Sequence, residues 1–176
     1  MLFSNYWKKV NSYKETAGGG YSYTGIRYHW DEEAGPQRKS ALKLFWILSV
    51  GALALNIIAG CMPAPGMMNA WYVIVPYAIG IICAVLTIFS VYNLANEHDP
   101  VRGNVYTSSI SPLGARARAG TVFSIASAAA EVIFMIIGWD RSGIVWIILF
   151  MALQIASAYL QIRTTRLYKT IIWVKS

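Results

Sequence analysis

A single carboxylate, Glu131, interrupts the apolar stretch SIASAAAEVIFMIIGW, which runs from Ser124 to Trp139. An ionised carboxylate in hydrocarbon is unfavourable unless it is paired, hydrated or protonated. Such an acid can relay a proton or an ion, or it can hold helices together through hydrogen bonds. The stretch therefore raises a functional and a structural interpretation of the same residue.

Helical spacing predicts which way Glu131 faces. Steps of three and four residues place it on a stripe of small or polar side chains, opposite an apolar stripe. Small residues mark close helix packing in membranes, so we expect Glu131 to face protein and not lipid. The small or polar stripe is Gly120, Ser124, Ser127, Glu131 and Gly138, and the apolar stripe is Val122, Ile125, Ala129, Ile133 and Ile136.

The other apolar segments also carry polar residues at comparable distances from their ends, counted at about 1.5 Å per residue. We therefore predict an intramembrane polar layer formed by Glu131, Asn56, Thr87 and Gln154, with Ser127 one turn below Glu131. The layer fits interhelical hydrogen bonding, a proton or ion relay, or an ion pair with another subunit. No Lys or Arg of this chain lies at that depth, so we expect a protonated Glu131 that donates to Asn56 or Gln154.

Both histidines lie among acidic residues, in the stretches HWDEE and NEHD, which makes His29 and His98 weak candidates for metal binding. The alternative is that these are ordinary solvated loop charges. No metalloprotease motif, nucleophile elbow or phosphate-binding glycine loop occurs in the sequence. We therefore predict no cofactor, and the sequence leans against an enzyme.

The composition indicates a membrane protein. Hydrophobic residues make up 56% of the 176 residues and charged residues only 13%, about half the usual charged share of a soluble domain. Four segments reach the length of about 20 mainly apolar residues that a spanning helix needs. The predicted spans are 44–62, 71–94, 119–138 and 144–162, between an N-terminal segment, 1–43, and a basic tail, 163–176.

The loops predict the orientation of these spans. Every Lys and Arg except Arg141 lies before the first span, between the second and third, or after the fourth. The positive-inside rule then places both termini in the cytoplasm. The outer loops are short, which predicts antiparallel neighbours and an up-down four-helix bundle. No clustered basic face accompanies the positive charge, so nucleic acid is not a predicted partner.

The segment MLFSNYWKKV suits a short cytoplasmic helix lying in the membrane interface, with Lys8 and Lys9 against anionic lipid. The alternative is a frayed polar tail. Arg116 and Arg118, just before the third span, are expected at headgroup level. Alternating aromatic residues on both sides of Thr24-Gly25 predict a short β-hairpin.

Together these observations predict an all-α integral membrane protein, an up-down four-helix transmembrane bundle with a cytoplasmic N-terminal interfacial helix. The leading functional interpretation is a helix-packing subunit or scaffold, either a homo-oligomer or part of a larger membrane complex. The alternative is a small transporter or channel in which Glu131 acts as a proton or ion relay.

Overall fold

The structure is a computed structural model that describes residues 13–15, 21–138 and 143–175, and these residues are mostly helical. The predicted interfacial helix, with Lys8 and Lys9, lies outside them. The helices are α1 (Arg38–Gly60), α2 (Pro65–Asn69), α3 (Trp71–Asn96), α4 (Gly103–Val105), α5 (Leu113–Gly138) and α6 (Ile144–Lys169), with a π-helical turn at Tyr106–Ile110. The strands are β1 (Tyr13–Glu15), β2 (Tyr21–Tyr23), β3 (Arg27–Trp30), β4 (Val101–Arg102) and β5 (Trp173–Lys175).

Four helical stretches of the described residues are long and apolar enough to cross a membrane: α1, α3, the stretch from α4 through α5, and α6. They are longer than the predicted spans, because α1 begins at Arg38, α5 begins at Leu113 and α6 continues to Lys169. The predicted spans end at the first charged residues, because they are defined by apolar composition. The helical backbone continues through them, since Lys and Arg are good helix formers.

The long helices bury small residues and expose large ones. α3 packs against α5, α5 against α6, and α1 against both α3 and α6. Ala52 of α1 and Ala158 of α6 are buried between helices, whereas Ile136 and Val145 are 63% and 62% exposed. Close packing through small residues with large apolar side chains outside is typical of helices in lipid.

Each end of the bundle is closed by an apolar cluster. At the end that carries α2, Val73 and Phe150 pack with four buried alanines. At the opposite end, Trp30, Phe45 and Leu94 belong to a larger cluster beside the strands. We refer to these as the α2 end and the sheet end of the bundle.

The strands form a different arrangement from the predicted hairpin around Thr24-Gly25, and that prediction is wrong. β2 pairs with β1, while β3 is the middle strand of an antiparallel sheet ordered β4-β3-β5. Tyr28 therefore pairs with both Val101 and Lys175. Partners on both edges of β3 satisfy more backbone hydrogen bonds than a hairpin with β2 would.

Candidate functional site

Glu131 lies in the bundle interior, as the spacing along α5 predicts. Its side chain is fully buried, together with Ser124 and Ser127 on the same face of the helix. On the opposite face, Val122 and Ile133 are 62% and 49% exposed. The helix is therefore two-faced at helical period, and its single acid points into the protein.

The acid contacts α2, which the sequence did not indicate. The backbone N–H of Gly66 donates to Glu131 Oε1 over 2.9 Å. A Cβ built on Gly66 would lie 2.4 Å from Glu131 Oε2, so a larger residue there would displace the carboxyl group. The second carboxylate oxygen, Oε2, is buried without a hydrogen-bond partner among the described residues. Within that part of the chain, Gly66 thus holds Oε1, and Oε2 lies beside it without a hydrogen bond.

The expected hydrogen bond from Glu131 to Asn56 or Gln154 is not formed among the described residues. Asn56 Nδ2 donates instead to Ser157 Oγ over 2.8 Å, and neither polar atom of the Gln154 side chain has a partner. The sequence carried no signal for this outcome, because the partner of Glu131 is a backbone amide and not a side chain.

Helix contacts place the predicted polar residues along the bundle. Gly120 of α5 contacts Gln161 of α6. Because the two helices run antiparallel, two turns forward along α5 and two turns back along α6 bring Ser127 opposite Gln154. Glu131 lies one turn from Ser127 toward the α2 end. These three residues of the predicted layer therefore lie on neighbouring turns of α5 and α6.

Thr87 does not belong to that level, and this part of the layer prediction is wrong. Gly80 of α3 faces Ser124, so Thr87, two turns further along α3, lies about 20 Å from the level of Glu131 toward the sheet end. Its hydroxyl donates to Cys83 O of its own helix over 2.8 Å. Because α3 begins beside α2 and runs toward the sheet end, Thr87 lies in the half of α3 that is remote from α2 and from Glu131.

The buried polar residues thus form a column along the interior and not a single layer. We call this set the polar column. Its members are Glu131, Ser127, Gln154, Ser124, Asn56, Ser157, Gln161 and Thr87, each at most 2% exposed.

One part of the polar column joins α1 to α6 through side-chain hydrogen bonds. Ser157 Oγ accepts from Asn56 Nδ2 over 2.8 Å and from Gln161 Nε2 over 3.3 Å, and it donates to Ala52 O over 3.0 Å. Asn56 also donates to Ala52 O. We call Asn56, Ser157, Gln161 and Ala52 O the α1–α6 clasp. It can stabilise helix packing without any ligand.

The other part of the column contains buried polar atoms that make no hydrogen bond with the described protein. An unpaired buried polar group costs about 1–3 kcal/mol, and more if it is charged. Such a set is costly as packing and suited to binding. Outside the clasp these atoms are Glu131 Oε2, Ser127 Oγ, Ser124 Oγ and both side-chain polar atoms of Gln154. Within the clasp, Asn56 Oδ1 and Gln161 Oε1 also lack a partner among the described residues, but the amide nitrogens of both side chains are bonded.

Comparison with known proteins adds no name to this site. No family model, no curated protein and no solved structure matches the chain. The chemistry of the polar column therefore carries the functional argument.

The two arginines expected at headgroup level differ in their surroundings. Arg118 is exposed, and its Nε donates to Gly114 O over 3.3 Å. Arg116 is half-buried and turns toward α3, where its guanidinium donates to Ser90 Oγ and to Ser108 O. Lipid contact by either residue stays a prediction.

Both histidines lie at the sheet end of the bundle. His29 forms an ion pair with Asp99, whose other oxygen accepts from the backbone N–H of Trp30 over 3.1 Å. His98 is exposed. Among the described residues, no group of three or more His, Cys, Asp or Glu residues is placed to hold a metal ion. Asp99 links its loop to β3, which is a structural use for one of the two acidic stretches.

Proposed function

We propose that the chain is a multi-pass membrane protein, an up-down bundle of four transmembrane helices with both termini in the cytoplasm. The large exposed apolar side chains along the helices support insertion in lipid. The distribution of Lys and Arg supports the orientation. The pairing of β3, β4 and β5 adds support, because it brings the segments before α1, after α3 and after α6 to the same end.

Within that frame, the function supported best is a small transporter or channel in which Glu131 relays a proton or an ion. The observation that carries it is the unpaired part of the polar column. Several fully buried polar atoms, one of them a carboxylate oxygen, lack protein partners at neighbouring levels. A bundle selected only for packing would gain stability by replacing such atoms with apolar ones.

A helix-packing subunit or scaffold, working as an oligomer or in a larger complex, is the second candidate. The α1–α6 clasp favours it, because interhelical hydrogen bonds of this kind stabilise membrane bundles by about 1 kcal/mol each. Contacts with anionic lipid fit either candidate. The two differ in what they require of Glu131, which a packing subunit needs only as an acceptor for Gly66.

Flux measurements in proteoliposomes distinguish the candidates. Proton and Na⁺ flux is compared between the native chain, Glu131→Gln and the matched control Glu33→Gln, since Glu33 is exposed. The relay predicts flux that falls to background only in Glu131→Gln. Equal flux in all three chains, or none in the native chain, would exclude the relay, and cross-linking in the membrane would then test for the oligomer.

A further inference from the structure

Three side chains from two helices form the unpaired part of the column nearest α2. Glu131 and Ser127 are one turn apart on the same face of α5, and Gln154 of α6 lies at the level of Ser127. All three are 0% exposed. Each has at least one oxygen without a hydrogen-bond partner: Glu131 Oε2, Ser127 Oγ and Gln154 Oε1.

The charge of Glu131 is not balanced by a basic side chain within the described residues. The ion pairs found there involve Asp99 and Glu97, both at the sheet end. The groups that stabilise the carboxylate are neutral backbone N–H groups of α2: Gly66 donates to Oε1, and the backbone of Met67 also interacts with the carboxyl group. A buried carboxylate with only neutral partners is unfavourable, and a bound positive charge would offset that cost.

We propose that Glu131, Ser127 and Gln154 form a binding site for a small monovalent metal cation such as Na⁺. Oxygen atoms of carboxylates, amides and hydroxyls are the ligands that hard cations prefer. A single carboxylate matches a single positive charge, whereas a divalent ion would keep an excess charge in an apolar surrounding. The inference deepens the proposed function and rests on it for the route of the ion.

The number of free oxygens favours a metal ion over a proton. A protonated carboxyl donates one hydrogen bond, so it can serve only one of the other two oxygens. A metal ion bound between the helices would be shared by all three. Gly66 acts as a positioning residue in this arrangement, because its N–H holds Oε1 and the absence of a side chain leaves room for Oε2 beside it.

Binding to the purified full-length chain in detergent tests the site directly. Calorimetry and thermal unfolding are measured in NaCl, with ionic strength held constant by choline chloride. The native chain should bind Na⁺ saturably and unfold at a higher temperature as Na⁺ is added. Choline alone should give no such increase.

Variants locate the ion. Glu131→Gln should abolish Na⁺ binding, and Ser127→Ala and Gln154→Leu should each weaken it by about tenfold or more, the factor expected for one lost ligand. Gln161→Leu is the matched control, two turns away on α6, and should bind Na⁺ as the native chain does. Glu131→Gln keeps an oxygen acceptor for Gly66, so its fold, checked by circular dichroism and gel filtration, should persist.

The outcomes separate this inference from the proposed function. Glu131-dependent proton flux without Na⁺ binding would overturn the metal site and keep the relay. Na⁺ binding that depends on Glu131, in a chain without flux, would support the site and contradict transport. Na⁺ binding that survives in Glu131→Gln would place the ion elsewhere and overturn the site.

Discussion

Two groups of buried polar residues in the same bundle differ in how they are bonded. In the α1–α6 clasp, Ser157 accepts twice and donates once, so its hydroxyl is fully used. Near α2, Glu131, Ser127 and Gln154 are as deeply buried but keep oxygens without protein partners. Every side chain of the clasp makes at least one hydrogen bond to its neighbours, although Asn56 Oδ1 and Gln161 Oε1 have no partner among the described residues, whereas the side chains of Ser127 and Gln154 make none there. The difference teaches that a buried polar side chain suggests packing when it bonds across helices and suggests function when none of its polar atoms is bonded.

The largest expected effect comes from adding one methyl group where α2 meets Glu131. Gly66→Ala would place a Cβ 2.4 Å from Glu131 Oε2, so the carboxyl group or α2 must shift, and we expect the hydrogen bond to Oε1 to be lost. Overpacking and the lost bond to a charged group together predict destabilisation of about 3 kcal/mol. Thermal unfolding in detergent measures it.

Gly80→Ala is the matched control for that substitution. A Cβ on Gly80 would lie 3.7 Å from its nearest neighbour, Ser124 Oγ, which is ordinary contact. It should leave stability unchanged or raise it by up to about 1 kcal/mol, because alanine favours the helix. Equal effects of the two substitutions would mean that the fit of α2 against Glu131 is not specific.

A pair of serine substitutions tests the comparison itself. Ser157→Ala removes a hydroxyl with three partners and should lower the free energy of unfolding by about 2 kcal/mol. Ser127→Ala removes a hydroxyl with none among the described residues, and without Na⁺ it should change stability by less than about 0.5 kcal/mol. A larger loss in Ser127→Ala than in Ser157→Ala would reverse the assignment of the two groups.

One further substitution near α2 should have the opposite sign. Gln154→Leu replaces two unpaired polar atoms with an apolar side chain of similar size. Without Na⁺ it should stabilise the protein by about 1 kcal/mol, since nothing bonded is lost. The same change should remove most of the stabilisation that Na⁺ gives to the native chain. Denaturant unfolding with and without NaCl measures both, and destabilisation in choline chloride would show that Gln154 has a packing role.

Much of this arrangement follows from sequence pattern. The long helices and the inward face of α5 follow from apolar composition and from the spacing of Ser124, Ser127 and Glu131. The heights of residues on different helices do not, because counting along one helix does not give its register with the next. The level predicted for Thr87 is wrong for this reason, since the contact of Gly80 with Ser124 sets the register of α3 against α5.

The contact between Gly66 and Glu131 could not be predicted for another reason. A backbone N–H is present at nearly every residue, so no residue type marks the one that a carboxylate will bind. The strand pairing of the sheet could not be predicted either, because β3 pairs with strands distant in sequence and each strand is at most four residues long. Strands so short carry too little alternation to identify their partners.

The sheet also constrains the order in which the protein can be completed. β3 is synthesised before α1, but one of its partners, β4, follows α3 and the other, β5, follows α6. During translation, the edge of β3 that pairs with β5 therefore has no strand partner until the last long helix has been made. If α6 ran in the opposite direction, β5 would lie at the α2 end, and β3 would pair with β4 alone. Closure of the three-stranded sheet therefore requires α6 to end at the same end of the bundle as α3.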